Sequence, residues 1–291
     1  MVKPVHKYLK AEDIRTLSRY RFSPRLLVEG HFAGRHQARA RGSSTEFRDY
    51  RPYVIGDDLK MVDWRIYART DRHYLKTYEQ ETNTRCYIFL DSSASMGFGR
   101  NMTKLDYASY FTAALSYLVA RSSDQVSLTL FDDRIRSFFP PSGTAGHIQT
   151  ILCALEDNKP GNQTALADTL TRSFPLLAQK GTLVIISDFL EDPGRVFAAL
   201  SPYLHRGFAI HLFHVLAPEE IQLDDRGLTA FRDLETRQRV IAHTDHIRQA
   251  YDEAMSQHIH ALRDLATRRR MDYMLARTDS HYLSLFDHLT Q

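Results

Sequence analysis

"CYIFLDSSASMGFG", residues 86–99, carries five strand-forming apolar residues straight into an acid and a cluster of serines. The apolar run favours burial, whereas Asp91, Ser93 and Ser95 need water, backbone amides or a cation. Further along, "QVSLTLFD", "TLVIISDFL", "FAIHLFHVL" and "DYMLAR" repeat the short apolar pattern, and amphipathic segments lie between them. In "KLDYASYFTAALSYLVARS", Leu105, Ala108, Phe111, Leu115 and Leu118 recur at helical spacing. "RVFAALSPYLHRG" reads as a helix stopped by Gly207. A long helix near 245–270 ends in Arg268, Arg269 and Arg270, where cations suit the helix dipole. Strands apolar on both faces, alternating with helices, predict a mostly parallel sheet covered by helices on both sides. Ligands of such sheets sit beyond the carboxyl ends of the strands, which is where "DSSAS" and "SDF" fall.

The first 80 residues read differently. They hold 17 Lys/Arg against 10 Asp/Glu, a balance of +7, and residues 81–291 hold 21 against 25, a balance of −4. That shift predicts a boundary near residue 80, with a basic N-terminal segment (1–80) before an α/β domain (81–291). "GHFAGRHQARARGSS" suggests a loop, and the aromatic and charged mixture of residues 47–81 suggests short strands and turns, so the segment is expected to be β-rich. No apolar run approaches the roughly 18 residues that span a bilayer. The N-terminus lacks a secretory apolar core, so a cytoplasmic location is expected. Cys86 and Cys153 both read as core thiols.

Taken alone, Asp91-x-Ser93-x-Ser95 is also what a turn or helix cap looks like. Two further segments strengthen a site: "GNQTALADTL" puts Thr164 before a helix, and "VIISDFLED" puts Asp188 at a strand end. Together they offer two carboxylates and three hydroxyls, without nitrogen or sulfur. Such a set selects a hard cation, Mg²⁺ before Mn²⁺ or Ca²⁺. This order of residues resembles the metal-ion-dependent adhesion site of von Willebrand factor A domains; Phe189 departs from the Gly that many of them carry after the last Asp. Upstream, Glu46–Phe47, Arg51–Tyr53, Gly56–Asp57–Asp58 and Asp63–Trp64 resemble the signature of the bacterial Domain of Unknown Function 58 family. The resemblance implies a von Willebrand factor A-like, Rossmann-type α/β fold and a metal held by Asp91, Ser93, Ser95, Thr164 and Asp188. It also implies a MoxR-type AAA+ ATPase as partner, because members are commonly encoded beside one.

Two carboxylates balance a divalent ion and leave it attractive to a carboxylate from another protein, so metal-dependent adhesion without turnover is expected. The alternative is a metal-dependent phosphatase or hydrolase. Phosphatases of that kind place a second Asp two positions after the first; here Ser93 stands there and cannot shuttle protons near neutral pH. Glu191 and Asp192 are the nearest candidate bases. The histidines give no zinc pattern. Arg35, Arg39, Arg41, Arg48 and Arg51, interleaved with Phe47, Tyr50 and Tyr53, could contact nucleic acid. Pairing of Arg48, Arg51 and Arg65 with Asp57, Asp58 and Asp63, beside Trp64, to dock the segment on the α/β domain is the preferred reading. Arg35, Arg39 and Arg41 remain a surface for an acidic partner.

Overall fold

The computed structural model describes residues 6–20, 45–53, 64–80, 84–223 and 227–289. Its elements in chain order are α1 (Ala11–Leu17), β1 (Thr45–Pro52), α2 (Trp64–Thr70), β2 (Tyr74–Gln80), β3 (Arg85–Asp91), α3 (Lys104–Arg121), β4 (Gln125–Phe131), β5 (Ile135–Ser142), α4 (Ala145–Asp157) and α5 (Leu166–Ser173). They continue with β6 (Thr182–Ser187), α6 (Pro193–Arg206), β7 (Ala209–Leu216), α7 (Pro218–Ile221), β8 (Leu228–Arg232), β9 (Arg239–His243), α8 (Thr244–Arg268), β10 (Asp272–Arg277) and α9 (Ser284–Leu289).

Six strands form one sheet in the order β10-β7-β6-β3-β4-β5. All neighbours are parallel except the pair β4–β5. This is the α/β architecture expected from the alternating pattern. The central strands alternate their side chains between two apolar layers. Cys86, Ile88 and Leu90 of β3 face one layer with Phe111 and Leu115 of α3, Ile151 of α4 and Phe286 of α9. Tyr87 and Phe89 face the other with Leu170 of α5, Phe197 and Leu200 of α6 and Leu262 of α8. Each fully buried Leu, Ile or Phe contributes about 1.5–3 kcal/mol, so the two layers fix β3 and β6 firmly.

Local chemistry sets the helix ends. Thr103 caps α3 by accepting from the Asp106 N–H at 3.1 Å. Asp192 caps α6 through the Arg195 N–H, and Gly207 ends that helix at φ 86°. Pro175 follows α5 and confines it to eight residues. On β5, the register skips from Phe139 to Ser142, and the two residues passed over are Pro140 and Pro141.

One boundary falls between Asn83 and Thr84, close to the one expected near residue 80, but the segment before it is not a single unit. Met1–Phe32 clusters with Thr84–Gln291, and Ala33–Asn83 forms a second unit. The reason lies in the first described residues. Lys7 Nζ and the Tyr8 hydroxyl both donate to Asp106 Oδ1 at 2.7 Å, and His6 Nδ1 lies 3.0 Å from Glu156 Oε1. Leu17 of α1 is buried in the core. Lys7 and His6 thus tie the first described residues to acids of the α/β unit, which the change in charge along the chain does not reveal. Within the second unit β1 and β2 pair antiparallel, as the β-rich reading expects, but Trp64–Thr70 is helical where turns were expected. Trp64 stacks edge-on to Tyr67, with ring centroids 6.0 Å apart. Cys86 is buried as expected, whereas Cys153 is exposed on α4. Among the described residues, no helix is long and apolar enough to cross a membrane.

Candidate functional site

The carboxyl ends of β3 and β6, adjacent in the sheet, bring Asp91 and Ser187–Asp188 side by side. Both aspartates are fully buried. Asp91 Oδ1 accepts the Ser93 N–H at 2.8 Å, which bends the chain after β3 and turns both serine hydroxyls inward. The Ser93 and Ser95 hydroxyls lie 3.0 Å apart. Asp91 Oδ2 accepts from the Ser187 hydroxyl at 2.6 Å and from the Thr164 hydroxyl at 3.1 Å.

Backbone bonds hold Thr164 in place. The Gly161 N–H donates to Ser92 O at 2.7 Å, Ala94 N–H to Asn162 O at 2.8 Å, and Ala165 N–H to Asp132 O at 3.0 Å. Buried Asp132 accepts the Asn162 N–H at 3.2 Å. A side chain at Gly161 would collide with Asp132 Oδ2, so the loop needs glycine there. All five expected residues, Asp91, Ser93, Ser95, Thr164 and Asp188, therefore converge on one sheet edge.

Three further participants were not legible in the motif. Lys104, fully buried in the first turn of α3, sends its ammonium to Asp188 Oδ2 at 2.8 Å and Glu220 Oε1 at 2.6 Å. A cation at a helix N-terminus is on the unfavourable side of the dipole, which is the one sequence signal that could have marked it. Ser187 is the second. The third is Glu235, in the turn between β8 and β9, whose Oε1 accepts the Thr164 N–H at 3.3 Å.

The electrostatics follow from burying several acids around one ammonium. Burial, then the Asp188 charge, pushes Asp91 up to about 7, against hydrogen bonds from Ser187 and Ser93. Burial would also raise Asp188, but the Lys104 ammonium outweighs it and holds that carboxyl below its ordinary value. Lys104 itself is raised: burial disfavours its charge, and Asp188 and Glu220 more than compensate. Burial and the Asp188 charge raise Glu235. His214, buried beside the site, is pushed down to about 3 by burial and stays neutral. Asp188 Oδ1 is buried with no hydrogen-bond partner. Such an atom costs roughly 1–3 kcal/mol or more unless something occupies its lone pairs.

A hard divalent cation fits this set. The donors are all oxygen, the carboxylates are in excess over the one ammonium, and an unpartnered Asp188 oxygen faces the cluster. Among the described residues, no three of His, Cys, Asp and Glu gather into a metal-holding group, so a cation here would have to be held by the two aspartates together with the hydroxyls. Phe189 takes the left-handed backbone that favours glycine, at φ 47°, and its buried ring packs edge-on to His214 at 5.7 Å. Arg35, Arg39, Arg41, Asp57, Asp58 and Asp63 lie outside the described residues. The backbones of Arg48 and Arg51 run in β1 and that of Arg65 in α2, and their side chains are likewise outside the description.

The family model described as Protein of unknown function DUF58 matches residues 49–261, a span containing Arg51–Tyr53, Gly56–Asp58, Asp63–Trp64 and all five cluster residues; Glu46–Phe47 lie just before it. Uncharacterized protein Rv1480 of Mycobacterium tuberculosis is 27% identical over 221 residues, covering 72% of this chain and 67% of its own. Uncharacterized protein Mb1516 of Mycobacterium bovis matches to the same extent. Among solved structures, the conserved hypothetical protein BatB from Bacteroides thetaiotaomicron superposes with a TM-score of 0.49 at 18% identity, over 71% of this chain and 97% of that one.

Proposed function

The chain belongs to the DUF58 family, and on that premise we propose that it is a non-enzymatic adapter that binds a protein partner through Mg²⁺ at Asp91, Ser93, Ser95, Thr164 and Asp188. Mn²⁺ and Ca²⁺ are the other ions such oxygen donors would accept. The partner is a MoxR-type AAA+ ATPase offering a carboxylate, and the adapter couples its remodelling work to a client.

One observation carries this reading: two buried carboxylates and three hydroxyls converge, and one Asp188 oxygen is left without a partner. When bound, the ion would neutralise the pair and present an electrophilic face to an acidic side chain. The chain's own groups do the rest. Ser187 and Thr164 orient Asp91, Lys104 fixes one oxygen of Asp188, and the Asn158–Ala165 loop holds the threonine in range.

Non-enzymatic action is supported by the neighbours of the cluster. The hydroxyl of Ser93 stands where a phosphatase would need an acid. Asp192 is spent on capping α6, and Glu191 accepts the Ala167 N–H at 3.2 Å and pairs with Arg195 at 3.6 Å. Neither is free to act as a base.

Calorimetry with Mg²⁺ tests the site: wild type should bind, and Asp91→Ala should abolish binding with an unchanged circular-dichroism spectrum. Co-purification with a MoxR-type ATPase should then require Mg²⁺ and fail in EDTA and in Asp91→Ala. Equal Mg²⁺ binding by wild type and Asp91→Ala would remove the metal from this site. Phosphomonoester hydrolysis lost in Asp188→Asn would make the protein an enzyme.

A further inference from the structure

β8 and β9 form a hairpin with register from Leu228↔His243 to Arg232↔Arg239, and its turn is stiffly built. Asp233 Oδ1 accepts the N–H groups of Glu235 at 2.8 Å and Thr236 at 3.3 Å, and Asp233 N–H closes the turn on Gln238 O at 2.9 Å. The base of the hairpin is tied by buried Thr244, whose N–H and hydroxyl both donate to Gly227 O, at 3.0 and 2.9 Å. The turn is thus preorganised to hold one side chain in place, and the side chain it sends to the Asp91 cluster is Glu235, against the Thr164 N–H.

The chemistry of that contact is unusual. Among the described residues, no Lys or Arg pairs with Glu235, and the ammonium of the cluster, Lys104, is already engaged by Asp188 and Glu220. A partly buried carboxylate has been brought to a place already crowded with carboxylates. The repulsion is resolved if a divalent cation sits among them, and the unpartnered Asp188 oxygen independently marks the same vicinity.

We propose that Glu235 is a resident ligand mimic: the β8–β9 hairpin supplies the carboxylate that caps the cation, and a partner's carboxylate binds by displacing it. The inference rests on the metal reading above and adds to it a built-in competitor. Free protein would be self-capped, and partner affinity would be the difference between an intermolecular and an intramolecular carboxylate. Only a partner with extensive additional contacts can then win the site, which converts a generic metal–carboxylate bond into a selective one.

The test uses the full chain and Mn²⁺ alone as probe, read by water-proton relaxation, in wild type, Glu235→Gln and Asp91→Ala. Residue 235 lies in a surface turn, so Glu235→Gln should fold normally. Losing one anionic ligand should weaken Mn²⁺ binding roughly tenfold. Bound Mn²⁺ should also gain about one exchanging water, and titrated acetate should displace that water from Glu235→Gln at lower concentration than from wild type. Equal affinity and equal relaxivity in wild type and Glu235→Gln, with binding still abolished by Asp91→Ala, would overturn the capping role and leave the metal site standing. Failure of all three proteins to show Asp91-dependent binding would overturn both.

Discussion

Lys104→Met removes the one buried cation of the cluster while keeping chain length and apolar volume. The ammonium is fully buried, 2.8 Å from Asp188 and 2.6 Å from Glu220. At an effective dielectric constant of 20, each contact represents about 6 kcal/mol of gross attraction. Desolvating three charges consumes most of that, so the measurable effect is the penalty for stranding two carboxylates, about 3–5 kcal/mol. For a unit of this size each kcal/mol moves the midpoint by about 2–4 °C, which gives a fall in Tm of about 6–20 °C without metal. Differential scanning fluorimetry in EDTA reads it directly. Saturating Mg²⁺ should then stabilise Lys104→Met more than wild type, because the ion meets an uncompensated Asp188; at a hundredfold excess over Kd the gain is about 2.7 kcal/mol. A Tm within about 2 °C of wild type in EDTA would mean that Lys104 does not carry the charge balance. The account of Asp188 would then be wrong.

Acid should loosen the N-terminus first. Asp106 is held below its ordinary value: burial would raise it, but hydrogen bonds from Lys7 and Tyr8 prevail. A depressed carboxyl contributes stability that is complete above its unfolded value of about 3.9 and lost as pH falls through the folded one. Protection of the amides at residues 6–9, taken relative to intrinsic exchange at each pH, should therefore fall below about pH 4 to that of Asp106→Asn at neutral pH, with a cost of about 0.5–1 kcal/mol for this partly exposed pair; an Asp106→Asn protein with unchanged protection would refute it. Gly161→Ala should destabilise by about 1–3 kcal/mol, since its new methyl group meets Asp132, and should weaken cation binding through the loop that bears Thr164. An unchanged melting curve and unchanged calorimetry would show that the loop yields at no cost.

Much of this structure was legible because it rests on local pattern. The strands around Asp91 and Asp188 are continuous apolar runs, and a parallel sheet brings such strand ends to one edge whatever the intervening residues do. Thr164 followed from its place before a helix, although its position is held by long-range bonds to Ser92, Ala94 and Asp132. The residues that escaped depend on partners far away in sequence. Lys104 is defined by Asp188 and Glu220, and Glu235 by Thr164, 71 positions upstream. The hairpin could have been seen in "LTAFRDLETRQRVIAH", where two short strand-like runs flank a polar turn, but nothing there says which edge it approaches. The boundary expected near residue 80 lies close to the one between Asn83 and Thr84, but composition could not show that the first residues rejoin the α/β unit through contacts such as Lys7 and Tyr8 to Asp106.

The paired prolines of β5 bear on how this protein can meet others. Pro140 and Pro141 carry no N–H, so β5 lacks two successive backbone donors at the point where its register on β4 breaks. β5 is the border strand of the sheet, and an incoming chain would find its hydrogen-bonding ladder interrupted there. That flank is closed to backbone-templated growth, whether by a client peptide or by a second copy polymerising into fibres. An adapter of the kind proposed above would gain from such sterility. It would meet a partner through side chains at the carboxyl edge of the sheet without being recruited there as another strand.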